Sequence, residues 1–169
     1  MFNKKIWLIG GIIFSVALGV LLHFVYEWSG ENKIAGYFSA VNESTWEHLK
    51  LLFIPVLIFS IFEWLLRRKS DPKFLLARTI SLIIAMVFIV VTFYTVSGIV
   101  GKTDMPVINI GIFVVSVIIT FLLTEIISKC IFNVPENSNV IAIVILFILG
   151  ALFVLWTYNP LNIGLFKNP

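Results

Sequence analysis

Charge is scarce in this sequence. Only 12% of its 169 residues are Asp, Glu, Lys or Arg, about half of the ~25% usual in a soluble domain. There is a single cysteine, Cys130, which excludes an internal disulfide and a cysteine-rich metal site. No G-x-S-x-G elbow and no H-E-x-x-H zinc motif occurs, so the commonest hydrolase signatures are missing. No internal repeat or low-complexity stretch stands out, which argues against a solenoid. The strict apolar/polar alternation of a membrane β-barrel is also missing. The formal net charge is +3, but the basic residues cluster at the ends of apolar runs, where membrane topology explains them. Nucleic acid is therefore not an expected partner.

What is present is apolar surface: 60% of the residues are hydrophobic. A helix crossing about 30 Å of hydrocarbon needs roughly 20 apolar residues, and five stretches qualify, at 6–28, 46–66, 74–100, 105–128 and 139–158. The expected fold is an all-α polytopic bundle of five transmembrane helices, one domain over 1–169, in the cell membrane. Lys4 and Lys5 precede the first run, which continues to about Trp28 without a small-residue cleavage site. It reads as a retained span rather than a removable signal. One side of the bundle collects Lys4, Lys5, Arg67, Arg68, Lys69, Lys73, Arg78 and Lys129, the other only Lys33, Lys50, Lys102 and Lys167. The positive-inside rule then puts the N-terminus in the cytoplasm and the C-terminus outside. Tyr26, Trp28, Trp46, Trp156 and Tyr158 fall at the outer interface and Trp7 and Trp64 at the inner one, where anchoring is the simplest role for an amphipathic ring.

Loop 29–45 is the long outer connection. It mixes apolar residues with polar ones, as a segment at the membrane surface or dipping into the bundle mouth would. Five of the nine acidic residues (Glu27, Glu31, Glu43, Glu47 and Asp104) and both histidines, His23 and His48, lie on this side. The densest polar run is Val41-Asn42-Glu43-Ser44-Thr45-Trp46-Glu47-His48-Leu49-Lys50. A capping box accounts for Ser44 and Glu47 with no function at all, and acids suit a helix N-terminus. It accounts less well for Glu43, His48 and Lys50, each costly where the chain enters lipid. His23 precedes Glu27 by one turn on the same helix face. A histidine satisfied by a neighbouring helix is the plain explanation, and an acid/base group or ligand the functional one.

The candidate site is thus a cup at the outer mouth. Glu43, Glu47 and His48 are the candidate catalytic groups; His23, Glu27, Asn42, Lys50 and Tyr94 are candidate ligand contacts. His23, Glu43, Glu47 and His48 are the residues that would take a divalent cation if one is bound, since imidazole with carboxylate suits zinc, iron or manganese. Tyr94, Ser97, Gly98 and Gly101 share a stripe on the third span, a spacing that usually means close helix packing. On the inner side Glu63 with Arg67, and Glu125 with Lys129, are one turn apart and suit local pairing. Pro55 bends the second span. The tail 158–166 is either an interfacial tail or a lid over the outer mouth.

The polar run at 41–50, together with Phe93-Tyr94-Thr95-Val96-Ser97-Gly98-Ile99-Val100-Gly101, resembles a group of small bacterial integral membrane proteins classed only as a domain of unknown function. The resemblance covers nearly the whole chain and implies a bacterial cell membrane and a similar bundle. It supplies no activity. Three functions stay open. The first is binding or transport of a small polar ligand or cation, for which five spans are few and a homo-oligomer or partner membrane subunit is needed. The second is a membrane-embedded enzyme, metal-dependent or not, acting on a lipid or lipid-linked substrate with Glu43 or Glu47 as base and Lys50 on an anionic head group. The third is a structural or regulatory subunit in which the polar run caps a helix.

Overall fold

The structure, a computed structural model, describes residues 4–69, 71–131, 135 and 137–168, with the Arg67 side chain outside that set. Six α-helices succeed one another: α1 (Lys4–Trp28), α2 (Lys33–Gly36), α3 (Thr45–Glu63), α4 (Phe74–Val100), α5 (Pro106–Cys130) and α6 (Ser138–Tyr158), and among the described residues there is no strand. Five of the helices are long and apolar enough to cross a membrane. Most bounds fall within two residues of the expected spans. The exception is the second, whose helix passes at Trp64 into a π-turn that runs to Arg68. A π-turn inserts one residue into the hydrogen-bond ladder and rotates the later part of the helix, which swings Arg68 toward α5.

Local chemistry sets the ends. Ser44 is the N-cap of α3 and its hydroxyl accepts from the Glu47 amide at 3.4 Å, while the Asn42 side chain accepts from the Ser44 amide at 2.9 Å. The α4 helix stops at Gly101, whose φ of 72° is left-handed and open to glycine without strain. Pro106 opens α5 at its first turn, where no amide partner is lost.

The bundle has a cap end, where residues 29–44 lie, and an N-terminal end. Packing is most extensive between α4 and α5 and between α1 and α3, then between α4 and α6. About half of the apolar stretch of α3 and of α4 is buried, against about a fifth in α1 and α6. The perimeter is apolar (Ile6, Val107 and Phe147 are exposed), whereas Ser15, Thr79, Ser81, Ser116, Thr120 and Thr124 are buried. Outward aliphatics with inward hydroxyls are what a lipid solvent selects. An apolar groove of about 720 Å³, lined by Phe53, Leu57, Leu146 and Val154 among others, separates α3 from α6.

The α1–α3 contact is built on small residues. Gly11, Ser15 and Gly19 lie four apart and are all buried. A Cβ at Gly11 would meet the rings of Phe121 and Phe59, and one at Gly19 would meet the Phe113 ring and, at 2.7 Å, the Leu51 carbonyl oxygen. Pro55 offers no N–H to that carbonyl one turn earlier, so the Leu51 oxygen is left facing the glycine backbone. The stripe expected to pack, Gly98 and Gly101, has nothing within 4 Å of either Cβ position.

At the N-terminal end five charges interlock across four segments. Arg78 donates to Glu63 at 2.8 Å, both side chains 3% exposed. Arg68 contacts Asp71 at 3.1 Å, Glu125 at 2.5 Å and Glu63 at 3.9 Å. The Arg78 guanidinium also lies 4.1 Å from the Phe121 ring centre. Glu125 thus finds its cation on another segment, where pairing with Lys129 was expected; the expected Glu63–Arg67 pairing lies outside the described side chains. Arg78→Ala removes the 2.8 Å partner of the buried Glu63 carboxylate, so it is expected to lower stability by about 3 kcal/mol. Reversible unfolding in mixed micelles measures this; a loss under about 1 kcal/mol would mean that the pair is not buried.

Candidate functional site

Two separate polar groups occupy the cap end, where the sequence placed one. The first is a closed ion pair. Lys50 and Glu47 project from adjacent turns of α3, 2.6 Å apart, with side chains 0% and 2% exposed. The ammonium also donates to the Gly36 carbonyl at 2.8 Å and to Thr157 Oγ1 at 2.9 Å. The Glu47 carboxylate accepts from the Val41 amide at 3.0 Å and lies 3.4 Å from Thr157 Oγ1, which donates to the Phe153 carbonyl at 2.7 Å. Glu47 therefore does not close the capping box onto Ser44, whose amide is already taken by Asn42. Three donors on Lys50 meet three acceptors, which satisfies the ammonium completely. The pair ties the loop (Gly36, Val41) and α6 (Thr157) to the start of α3.

Gly36 has to be this small. A Cβ there would meet the Tyr158 hydroxyl and, at 2.8 Å, the Val41 side chain. Tyr158 in turn donates to the Lys33 carbonyl at 3.0 Å. The tail also closes on this end. Phe166 is buried against Trp46 and Trp156, with ring centres 4.9 and 5.6 Å apart. Trp46, expected at the interface, is instead a core residue that also packs on Phe153.

The second group is His23, Glu43 and His48. Gly19 lets α1 approach α3, and one turn later His23 stands beside His48, with ring centres 5.4 Å apart. The loop brings Glu43 over both: Glu43 Oε1 is 3.8 Å from His23 Nε2, and Oε2 is 3.5 Å from His48 Nε2. One ligand atom from each of the three lies within 4.8 Å of the others. His48 Nδ1 is 2.9 Å from the Ser44 carbonyl. A carbonyl only accepts, so Nδ1 carries a proton, and Nε2 is the ring nitrogen turned toward Glu43. The imidazoles are about one-third exposed and Glu43 is 67% exposed.

Beside this triad lies a chamber of about 320 Å³ between α3, α4 and α5. Glu43, Thr45, His48, Thr103, Asp104, Asn109 and Asn168 supply its polar wall, and Leu51, Ile89, Phe93, Ile112 and Phe113 its apolar floor. Of the other expected contacts, Tyr94 is 43% exposed with its hydroxyl 3.5 Å from Thr45 Oγ1, Asn42 caps the Ser44 amide, and Glu27 is exposed on the last turn of α1. The structure thus gathers His23, Glu43 and His48, and sets Glu47 and Lys50 apart. Asp104, Asn109 and Asn168 were not among the expected site residues. Asp104 alone had a signal in the sequence, as an acid on the outer side.

The chain belongs to the family of unknown function DUF6512, whose family model matches residues 1–169. No curated protein and no solved structure matches it.

Proposed function

We propose that this DUF6512 member is a multi-pass protein of the bacterial cell membrane, with its N-terminus in the cytoplasm, that binds a small cation or cationic polar ligand at the outer mouth. The observation that carries this is the charge of the chamber. Among the described residues, Glu43 and Asp104 are its only charged lining groups, because Lys50 is consumed by Glu47. Two carboxylates above an apolar and aromatic floor favour a cation over an anion. Passage across the bilayer would call on a homo-oligomer or a partner subunit, since the charges at the N-terminal end are locked in pairs.

Thermal unfolding of the purified protein in detergent, at fixed ionic strength, tests the reading. Ethylammonium, manganese and zinc chlorides are expected to raise the midpoint, and sodium acetate and phosphate are not. Glu43→Gln with Asp104→Asn should remove the cation effect. Stabilisation by the anions, or no change in the double variant, would reverse the assignment.

Topology has its own test. Cys130, at the end of α5, is exposed on the N-terminal end of the bundle. A membrane-impermeant maleimide should leave it unlabelled in intact cells and label it after permeabilisation. Labelling in intact cells would invert the orientation.

A second reading, a membrane-embedded enzyme on a lipid-linked substrate, draws on the apolar floor of the same chamber, Leu51, Phe93 and Phe113. It requires turnover of a head group that depends on Glu43. Binding without turnover across lipid-linked substrates decides for the first reading.

A further inference from the structure

We infer that His23, Glu43 and His48 form a two-histidine, one-carboxylate centre for a first-row divalent ion of the zinc type, with its remaining coordination positions open to the chamber. The inference rests on the cation reading of the outer mouth and names the ion and its ligands.

Distance decides between a metal centre and a mere charge contact. Metal bonds of about 2.0–2.1 Å in a tetrahedral shell put neighbouring ligand atoms about 3.4 Å apart. His23 Nε2 and His48 Nε2 lie 3.8 and 3.5 Å from different oxygens of Glu43. A strong charge-assisted hydrogen bond would sit near ~2.8 Å. These contacts are near ligand spacing and longer than a strong hydrogen bond, and with one ligand atom from each residue within 4.8 Å of the others, a modest contraction would bring the set around one ion. Neither Nε2 and neither Glu43 oxygen takes part in a hydrogen bond among the described residues. His48 has the supporting bond typical of a metal histidine, Nδ1–H to the Ser44 carbonyl, which fixes both tautomer and ring plane.

The sources of the ligands matter as well. His23 comes from α1, Glu43 from the loop and His48 from the first turn of α3. An ion would bridge three segments that are otherwise joined at this point by contacts between partly exposed side chains. Two histidines and one carboxylate suit zinc, iron, cobalt or manganese better than calcium or magnesium, which take all-oxygen shells. Glu43 and His48 also line the chamber, so a fourth position faces a space large enough for a small ligand. That is the layout of an exchangeable site rather than a sealed structural one.

The test uses the full-length protein in detergent, stripped with chelator and titrated with zinc, then with cobalt. One zinc per chain is expected, with the cobalt form giving the intense visible absorption of a four-coordinate site. His48→Ala and His23→Ala should each weaken zinc binding on the order of 100-fold, and azide should shift the cobalt spectrum through the open position. Gly98→Ala, with nothing within 4 Å of its Cβ position, should leave zinc affinity unchanged. Should an alanine variant fail to fold, His48→Gln and Glu43→Gln, smaller changes in volume, carry the same expectation. Absence of stoichiometric zinc, or full zinc affinity in both histidine variants, overturns the centre. If ethylammonium still stabilises the protein through Glu43 and Asp104 in that case, the chamber reading stands and only the metal is lost. If neither ion nor amine binds, both fall.

Discussion

Lys50→Met is expected to lower stability by about 3–5 kcal/mol, because it strands the Glu47 carboxylate where no water reaches it. Glu47 is 2% exposed. Its other partners, the Val41 amide and the Thr157 hydroxyl, are neutral. The loss should have two visible parts. The protein unfolds at lower denaturant in mixed micelles, and a protease nicks residues 36–41 before the rest, since Gly36 and Val41 are held down by this pair. Glu47→Gln added to Lys50→Met removes both charges, and is expected to recover much of the loss, as replacing a whole buried pair often does. A single variant within about 1 kcal/mol of the parent would show that the ammonium is hydrated. A double variant no better than the single would show that shape, not charge, is what the site requires.

Gly19→Val should cost about 3 kcal/mol, the upper end for overpacking, because one of the atoms in the way is the Leu51 backbone oxygen, 2.7 Å from the added carbon. A ring can turn aside; a carbonyl in a helix cannot, so α1 must back away from α3. His23 rides on the next turn of α1. Its Nε2 would then leave Glu43, and zinc affinity should fall about tenfold or more with every proposed ligand intact. Gly98→Ala is the control, since nothing lies within 4 Å of its Cβ position, and it should be nearly neutral. If Gly19→Val unfolds like the parent, the close approach of α1 and α3 is not real. If it is destabilised yet binds zinc normally, His23 is not a ligand.

The spans were legible because each is a long uninterrupted apolar run, and lipid demands little else of a helix. The interior was less so. Gly98 and Gly101 have a packing spacing, yet Gly101 ends α4 in a left-handed turn and both face open space. The stripe that does pack, Gly11-Ser15-Gly19, is spaced four apart on a helix whose polar content drew attention only to His23. Spacing says that a backbone can be approached, and says nothing of which neighbour approaches it. Glu47 and Lys50 are three residues apart, so their pairing was readable from one helix. What seals them, Thr157 and the Gly36 carbonyl, comes from segments far away in the chain. Glu43 was read alongside Glu47, and only the path of the loop separates the two: it delivers the Val41 amide to one and the histidines to the other.

The α3 helix carries buried charge at both ends, Glu47 with Lys50 and Glu63 with Arg78, and residues 51–62 between them carry none. Those 12 residues span about 18 Å, well short of the ~30 Å hydrocarbon slab. In the five-span reading the ionic layers therefore lie some way beneath each phospholipid surface. The mouth with its two imidazoles would open among glycerol ester groups rather than in bulk solvent, so a cation would reach it by crossing the headgroup layer from the aqueous side. Acyl-chain length then becomes a control on occupancy: reconstitution in short-chain lipids should ease access to the histidines, and long-chain lipids should restrict it.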